Sequence, residues 1–399
     1  MSTPPLKGLW LKKNEDRRLN AGHAWVFSNE VDTQRGALDQ YAVGDTVIIR
    51  SAREQFVGYA MINPHSLICA RILSRVESAK PDAEWLQQRI LAAHAWRQRL
   101  GFAEHHRLVF GESDHLPGLI ADRYGEVLVV QVATAWMEQR LDALVAGFAA
   151  IAGIKQIVLK NDSRARAAEG LGAYVKAAQG ELPTTLSVLE ADRRFEIRLE
   201  HAQKTGWFYD QRFNRQQFLA LVPGTGTALD VCSYAGGWAI ALARRGANVT
   251  AVDVSATALT QAKHNASLND VSLELIQGDA FEVMQSLVES GKRFDTIVVD
   301  PPAFIQRRKD EHVGLAAYRK LNQMAVQLLT DKGYLISCSC SYHLPTEQLP
   351  PILSRAGQFG ARSLKIIANG GQSPDHPVHP AIPETRYLKA VLASVDAAV

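Results

Sequence analysis

The rhythm of apolar and polar positions changes near residue 203. Before it, short apolar runs predominate: T-V-I-I-R at 46–50, F-V-G-Y-A-M-I at 56–62 and L-I-C-A-R-I-L at 67–73, with Val43-Gly44-Asp45 as a turn. Short runs bounded by turn residues predict strands. They predict a small β-barrel over 1–76. Between 82 and 100, Trp85, Ile90, Ala93 and Trp96 recur on one face of a helix. Strands at 106–110 and 117–133 follow, the latter turning at Arg123-Tyr124-Gly125. A helix at about 136–152, a strand at 155–160 and strands within 186–200 complete a central α+β domain over 77–200. From there on, strands alternate with helices, the pattern of a parallel sheet covered on both faces. It predicts an α/β, Rossmann-like domain over 201–399.

Composition narrows the class. A chain of 399 residues is too long for one core, so several domains are expected. No apolar run reaches the roughly 18 residues of a membrane span. The start, M-S-T-P-P-L-K-G-L-W, lacks the apolar stretch of a signal peptide, and a cytoplasmic protein without a membrane partner is expected. Four cysteines in such a chain are thiols rather than a disulfide framework. The net charge of +3 permits a nucleic-acid partner without demanding one.

The chemistry concentrates after residue 225. T-A-L-D-V-C-S-Y-A-G-G-W-A-I-A-L-A reads as strand, turn and helix, and A-N-V-T-A-V-D is the next strand, ending on Asp253. In such a fold the ligand lies beyond the carboxyl ends of the strands, and the second acid reaches ribose hydroxyls. The turn lacks G-x-G-x-x-G, and Asp230 would face a pyrophosphate unfavourably. S-adenosylmethionine fits better, having a ribose, no phosphate and a cationic methionine end. The expected cofactor residues here are Asp230, Ser233, Tyr234, Gly236 and Asp253, with Gly236 and Gly237 allowing close approach. Asp279, after a third strand, is placed to accept from the adenine amine. Taken singly, each acid is as readily a helix cap.

The fourth strand, F-D-T-I-V-V, ends at Asp300-Pro301-Pro302-Ala303-Phe304. Consecutive prolines stop a central strand and stiffen the loop. D-P-P followed by an aromatic residue is the mark of enzymes that methylate exocyclic amines, but Ala303 holds the aromatic slot here and Phe304 comes one later. The fifth strand runs G-Y-L-I-S-C-S-C-S-Y-H. Cys338 and Cys340 fall on one face, two steps apart, and Cys340 lies nearer the ligand edge. A thiolate there could add to C6 of a cytosine and make C5 nucleophilic. Asp300 would hold the N3–N4 edge. Cys69, Cys232 and Cys338 read as buried structural thiols. His376 and His379 lack a matching ligand set, and no metal site is expected.

With these motifs the chain resembles the bacterial large-subunit (23S) ribosomal RNA cytosine-5 methyltransferases. The likeness rests on G-H-A-W-V-F at 22–27, Q-K-T-G-W-F-Y-D-Q-R at 203–212, the Asp230 loop, D-P-P-A-F at 300–304, S-C-S at 339–341, D-H-P-V-H-P at 375–380 and P-E-T-R-Y-L-K at 383–389. It implies a PUA domain at the N-terminus, a methyltransferase domain at the C-terminus, S-adenosylmethionine as cofactor and ribosomal RNA as partner. It implies that the cysteine of S-C-S is the nucleophile; Tyr342-His343-Leu344-Pro345 favours Cys340 over Cys338. It also implies that Gln203, Lys204, Thr205 and Phe208 pack over the cofactor. Pro301, Pro302 and Phe304 are expected at the substrate base, and Arg307, Arg308 and Lys309 at phosphates beside it. On the barrel, Lys12, Lys13, Arg17, Arg18 and His23 are RNA candidates. Two other classes fit parts of the pattern: an exocyclic-amine methyltransferase using the D-P-P loop, and a non-catalytic RNA-binding protein on a cofactor fold.

Overall fold

A computed structural model describes residues 5–397. The chain forms two compact units. One comprises residues 1–186, 202–207 and 375–385; the other comprises 187–201, 208–374 and 386–399.

In the first unit the expected barrel is a five-stranded sheet in the order Lys7–Trp10, Thr46–Arg50, Phe56–Ile62, Ile68–Ser74, Trp25–Phe27. Its interior holds Leu9, Val26, Val47, Ile49, Ala60 and Cys69. A second five-stranded sheet, from His105–Phe110 to Tyr174–Gln179, carries the helix Ala83–Arg99. Met61 and Leu73 of the barrel share one apolar cluster with Trp85, Ile90 and Leu128 of this layer. That shared core is why the two sheets fall in one compact unit. The helix expected at about 136–152 is two pieces, Ala135–Glu138 and Leu141–Ala149. Arg140, with φ −120°, breaks it. Tyr174–Gln179 adds an edge strand that the sequence pattern does not predict. His376 hydrogen-bonds Asp375 at 2.9 Å and packs on Phe110.

The second unit is built on seven strands: β1 (Gly226–Val231), β2 (Ala247–Asp253), β3 (Glu274–Gln277), β4 (Phe294–Val299), β5 (Leu329–Ser339), β6 (Arg362–Gly371) and β7 (Lys389–Ala397). Their spatial order is β3-β2-β1-β4-β5-β7-β6. β1 to β5 are parallel, as the alternating pattern predicts. β7 runs antiparallel to both β5 and β6, so the sheet is mixed. Helices α1 (Arg212–Leu221), α2 (Gly237–Ala243), α3 (Ala256–Ser267), α4 (Ala280–Glu289), α5 (Glu311–Leu328) and α6 (Leu349–Phe359) complete it. One apolar layer contains Leu229, Ile297, Leu335 and Val326, the other Phe218, Trp238, Val298 and Ile336. Burial on both faces explains the continuous apolar runs of β1 and β4. Residues 187–201 join this unit because α3 holds them: Asn265 Oδ1 accepts from Glu196 N at 2.8 Å and Asn269 Oδ1 from Arg194 N at 3.0 Å. β1 reverses direction of winding against β2 and β4, and the crevice at its carboxyl end is the ligand position of such sheets. Among the described residues no helix is long and apolar enough to cross a membrane.

Candidate active site

The turn after β1 is locally strained. Cys232 and Tyr234 hold φ of 66° and 50°, and Gly236 holds 86°. For non-glycine residues this left-handed geometry is costly and marks functional turns. A side chain on Gly236 would meet Ile240 at 3.0 Å and Ala262 at 3.3 Å. The glycine therefore serves the turn and the α2–α3 packing rather than clearing room for a ligand. Asp230 is fully buried, and its Oδ2 accepts from Ala239 N at 2.9 Å. Its Oδ1 and the hydroxyl of buried Ser233 have no partner among the described residues. Burial, then the negative charge of Asp300, pushes the Asp230 carboxyl up to about 8. Two orphaned polar atoms and an acid short of positive charge are what a cationic, hydrogen-bonding ligand would complete.

Asp253 closes β2. Its Oδ2 accepts from Tyr234 N and its Oδ1 from Ser255 N, both at 2.9 Å. It thus fixes the β1 turn while staying partly open to solvent. The Tyr234 ring stands edge-on to Phe208 at 5.2 Å. Asp279 is exposed and caps α4, its Oδ1 accepting from Phe281 N at 2.9 Å and Glu282 N at 3.3 Å. That is the helix-cap role, fulfilled by one oxygen.

Asp300 stands beside the same turn. Its backbone N–H donates to Val231 O at 3.3 Å, and its Oδ2 accepts from Gln211 at 2.8 Å and Trp238 at 3.3 Å. Burial and the charge of Asp210 push its carboxyl up to about 6, against the pull of Arg215. Arg215 is itself buried and forks onto Glu190 at 2.7 and 2.6 Å.

The serines explain how the thiol is presented. Ser339 and Ser341 are fully buried and turn to Tyr318 of α5, each hydroxyl 2.8 Å from its phenol oxygen. Ser341 Oγ also accepts from Ile305 N at 3.0 Å, binding the end of β5 to the D-P-P loop. Cys340, between them, is half-buried, and its Sγ lies 3.8 Å from Pro301 O. Cys338 is buried in the apolar layer of Trp238 and Ile336, opposite Ala390. Burial raises its thiol well above the ordinary range. Cys69 and Cys232 are likewise raised by burial, Cys69 to about 12.

The structure also places the other expected residues. Phe304 packs between Tyr318, at 4.8 Å, and Phe281, at 5.9 Å. Arg307, Arg308 and Lys309 are exposed, and Arg307 pairs with Asp310 at 3.0 Å. Gln203, Lys204 and Thr205 belong to the first unit. Thr205 is buried there, its hydroxyl donating to Asp122 at 2.5 Å beside the fork of Arg107 on the same carboxylate. Of that set only Phe208 lies in the unit that carries the acids. Gln211, Trp238, Tyr318 and Lys389 were not singled out by the sequence reading. Gln211 is the last residue but one, and Lys389 the last, of two of the quoted motifs, which was the available signal.

Strand order, the strained turn and the acids at the carboxyl ends of β1, β2 and β4 define a Rossmann-like methyltransferase. Family models agree: residues 9–75 match a PUA-like domain and residues 105–392 an S-adenosylmethionine-dependent methyltransferase. The chain belongs to the S-adenosylmethionine-dependent methyltransferase family, alongside the proteins called ribosomal RNA large subunit methyltransferase I. One of these, from Shigella boydii, is 31% identical over 395 residues, covering 97% of this chain and 99% of its own. A Methanocaldococcus jannaschii protein, provisionally named a ribosomal RNA large subunit methyltransferase, is 34% identical over 361 residues, covering 90% of this chain and 91% of its own. Among solved structures, a Streptococcus mutans protein provisionally described as a SAM-dependent methyltransferase superposes with a TM-score of 0.82 at 18% identity. It covers 98% of this chain and 100% of its own, and supports the fold. The cofactor is S-adenosylmethionine.

Proposed function

We propose that the protein methylates C5 of a cytosine in large-subunit ribosomal RNA, with Cys340 as nucleophile. The observation that carries this is the juxtaposition of Cys340 Sγ and the Asp300-Pro301 loop, 3.8 Å from thiol to Pro301 O, while Cys338 is sealed in the core. The names of the relatives and the PUA-like barrel support an RNA substrate.

Asp230, Ser233, Tyr234, Asp253 and Phe208 would hold the cofactor, with Asp279 and Gly236 shaping its surroundings. Bound S-adenosylmethionine supplies an electrophilic methyl group. Cys340 adds as thiolate to C6, and the C5–C6 π pair moves into the ring, making C5 an enamine carbon. Asp300 faces the N3–N4 edge; a carboxyl with a value near 6 is able to share a proton with N3 and offset the developing charge. Once C5 is methylated, water or another base takes its proton, and the C5–H pair re-forms the C5–C6 double bond as the Sγ–C6 bond breaks and the thiolate leaves. Pro301 and Pro302 keep this edge rigid. Phe304 supports the loop from below through its packing on Tyr318. Arg307, Arg308 and Lys309 are placed to hold phosphates, and Gln203, Lys204 and Thr205 act through the first unit.

RNA carrying 5-fluorocytosine at the target tests this directly, since its C5 substituent cannot leave as a proton. A covalent adduct should survive denaturing electrophoresis with wild type and Cys338→Ala, and disappear with Cys340→Ala together with turnover. An adduct lost in Cys338→Ala and kept in Cys340→Ala would reverse the assignment. The second reading, methylation of an exocyclic amine, draws on Asp300 and the Pro301 carbonyl standing together; methylation persisting in the double cysteine mutant would establish it instead.

A further inference from the structure

Lys389 opens β7 and pairs across the sheet with Ser339 of β5. It is 3% exposed. A buried ammonium is expensive unless it is paired, yet among the described residues Lys389 has no carboxylate partner. Its Nζ donates to the carbonyls of Ser341 and of Tyr387, the latter at 2.8 Å. Two carbonyls satisfy two of its N–H directions and leave the third. The Ser341 carbonyl belongs to the residue directly after Cys340, and Ser339 is the residue directly before it. Lys389 is therefore held against the backbone on both sides of that thiol.

We propose that Lys389 is the buried cation that holds Cys340 as a thiolate, a positioning residue that acts on the substrate only through the cysteine. The inference rests on Cys340 being the nucleophile. Burial lowers the Lys389 amine to about 8, and the Cys340 charge opposes that fall. Coulomb energy is mutual, so whatever Cys340 contributes to the ammonium, the ammonium returns to the thiolate. Tyr318 of α5 feels the Cys340 charge, Cys338 lies on the same strand, and Asp300 after β4 is negative when ionised. Of these only an ionised Asp300 works against a thiolate, and the Lys389 ammonium is placed to offset it. On activation no external base is needed, because the thiolate and the ammonium are already paired before the substrate arrives. The same pair is restored when Sγ leaves C6.

A purely structural lysine would make the same two carbonyl bonds without moving the thiol's titration, and this difference is measurable. The full chain, without RNA or cofactor, is treated with iodoacetamide across a pH series, and modification of Cys340 alone is followed by peptide mass spectrometry. An ordinary thiol has its midpoint at about 8.5. The wild-type midpoint should lie about one pH unit or more below that. In Lys389→Gln and Lys389→Met it should rise by about one unit, with roughly tenfold slower alkylation at pH 7. Lys389→Arg should keep the low midpoint. Circular dichroism establishes that the variants are folded. Equal midpoints in wild type and a folded Lys389→Gln overturn the proposal. Should neither neutral variant fold, a wild-type midpoint at or above 8.5 overturns it alone, and a midpoint low in both wild type and Lys389→Arg supports it. A low midpoint combined with no 5-fluorocytosine adduct would remove the proposed reaction and keep the ion pair.

Discussion

Replacing Asp230 by Asn should change how many protons leave when the cofactor binds. With the carboxyl raised from its ordinary 3.8 to about 8, about nine in ten Asp230 side chains are protonated at pH 7. Its unpartnered Oδ1 points to a cationic ligand as the missing partner. A sulfonium and ammonium beside the carboxylate would pull its value down, so wild type should expel close to one proton per cofactor at pH 7. Calorimetry in buffers of different ionisation enthalpy reads this number from the slope of observed enthalpy. Asp230→Asn keeps the shape and removes the proton, so the cofactor's own amine cancels in the difference, which should be about 0.9. Affinity should follow the ionised fraction, rising about tenfold between pH 7 and 9 relative to the mutant. For the cofactor-free protein the sign is opposite. A raised folded value contributes stability that is full below 3.8 and is lost as pH rises through 8, so Asp230→Asn should flatten the decline across that window. Equal proton release by wild type and mutant would refute the reasoning.

Arg215→Met takes the closest guanidinium from buried Glu190, while Arg193 and Arg212 stay at 3.5 and 4.0 Å. The loss should be about 3 kcal/mol, read by urea unfolding; a loss below about 1 kcal/mol would show that those two arginines suffice. Replacing Arg307, Arg308 and Lys309 with Ala should lower the salt dependence of RNA binding while cofactor affinity stays the same. An unchanged salt slope would return them to a solvated surface.

The parallel half of the catalytic sheet was legible because burial on both faces writes itself as unbroken apolar runs, and because Pro301-Pro302 and Asp253 punctuate strand ends. The antiparallel pairing of β7 was not, since a reversal of strand direction leaves no mark in periodicity. Cys340 was separable from Cys338 by depth along one strand, and the observed burial differs in that sense. What escaped were side chains arriving from far away. Gln211 reaches Asp300 across 89 positions and Lys389 reaches Ser341 across 48. The same holds for Thr205, which the family resemblance put over the cofactor: its hydroxyl donates to Asp122, 83 positions earlier.

The division of the chain has a consequence for its synthesis. Arg97, fully buried in the first unit, donates to the carbonyl of Asp375, 278 positions later, and the Asp375 carboxylate accepts from Arg107 N at 2.8 Å. A ribosome making roughly 5–20 residues per second needs about 15–55 s to deliver that partner after Arg97 emerges. The first unit to leave the exit tunnel thus stays unfinished until residue 375 is made, with Arg97 held meanwhile by the carboxylate of Asp114. A stop before 375 would therefore deprive the N-terminal unit of the Asp375 contacts as well as truncating the catalytic one.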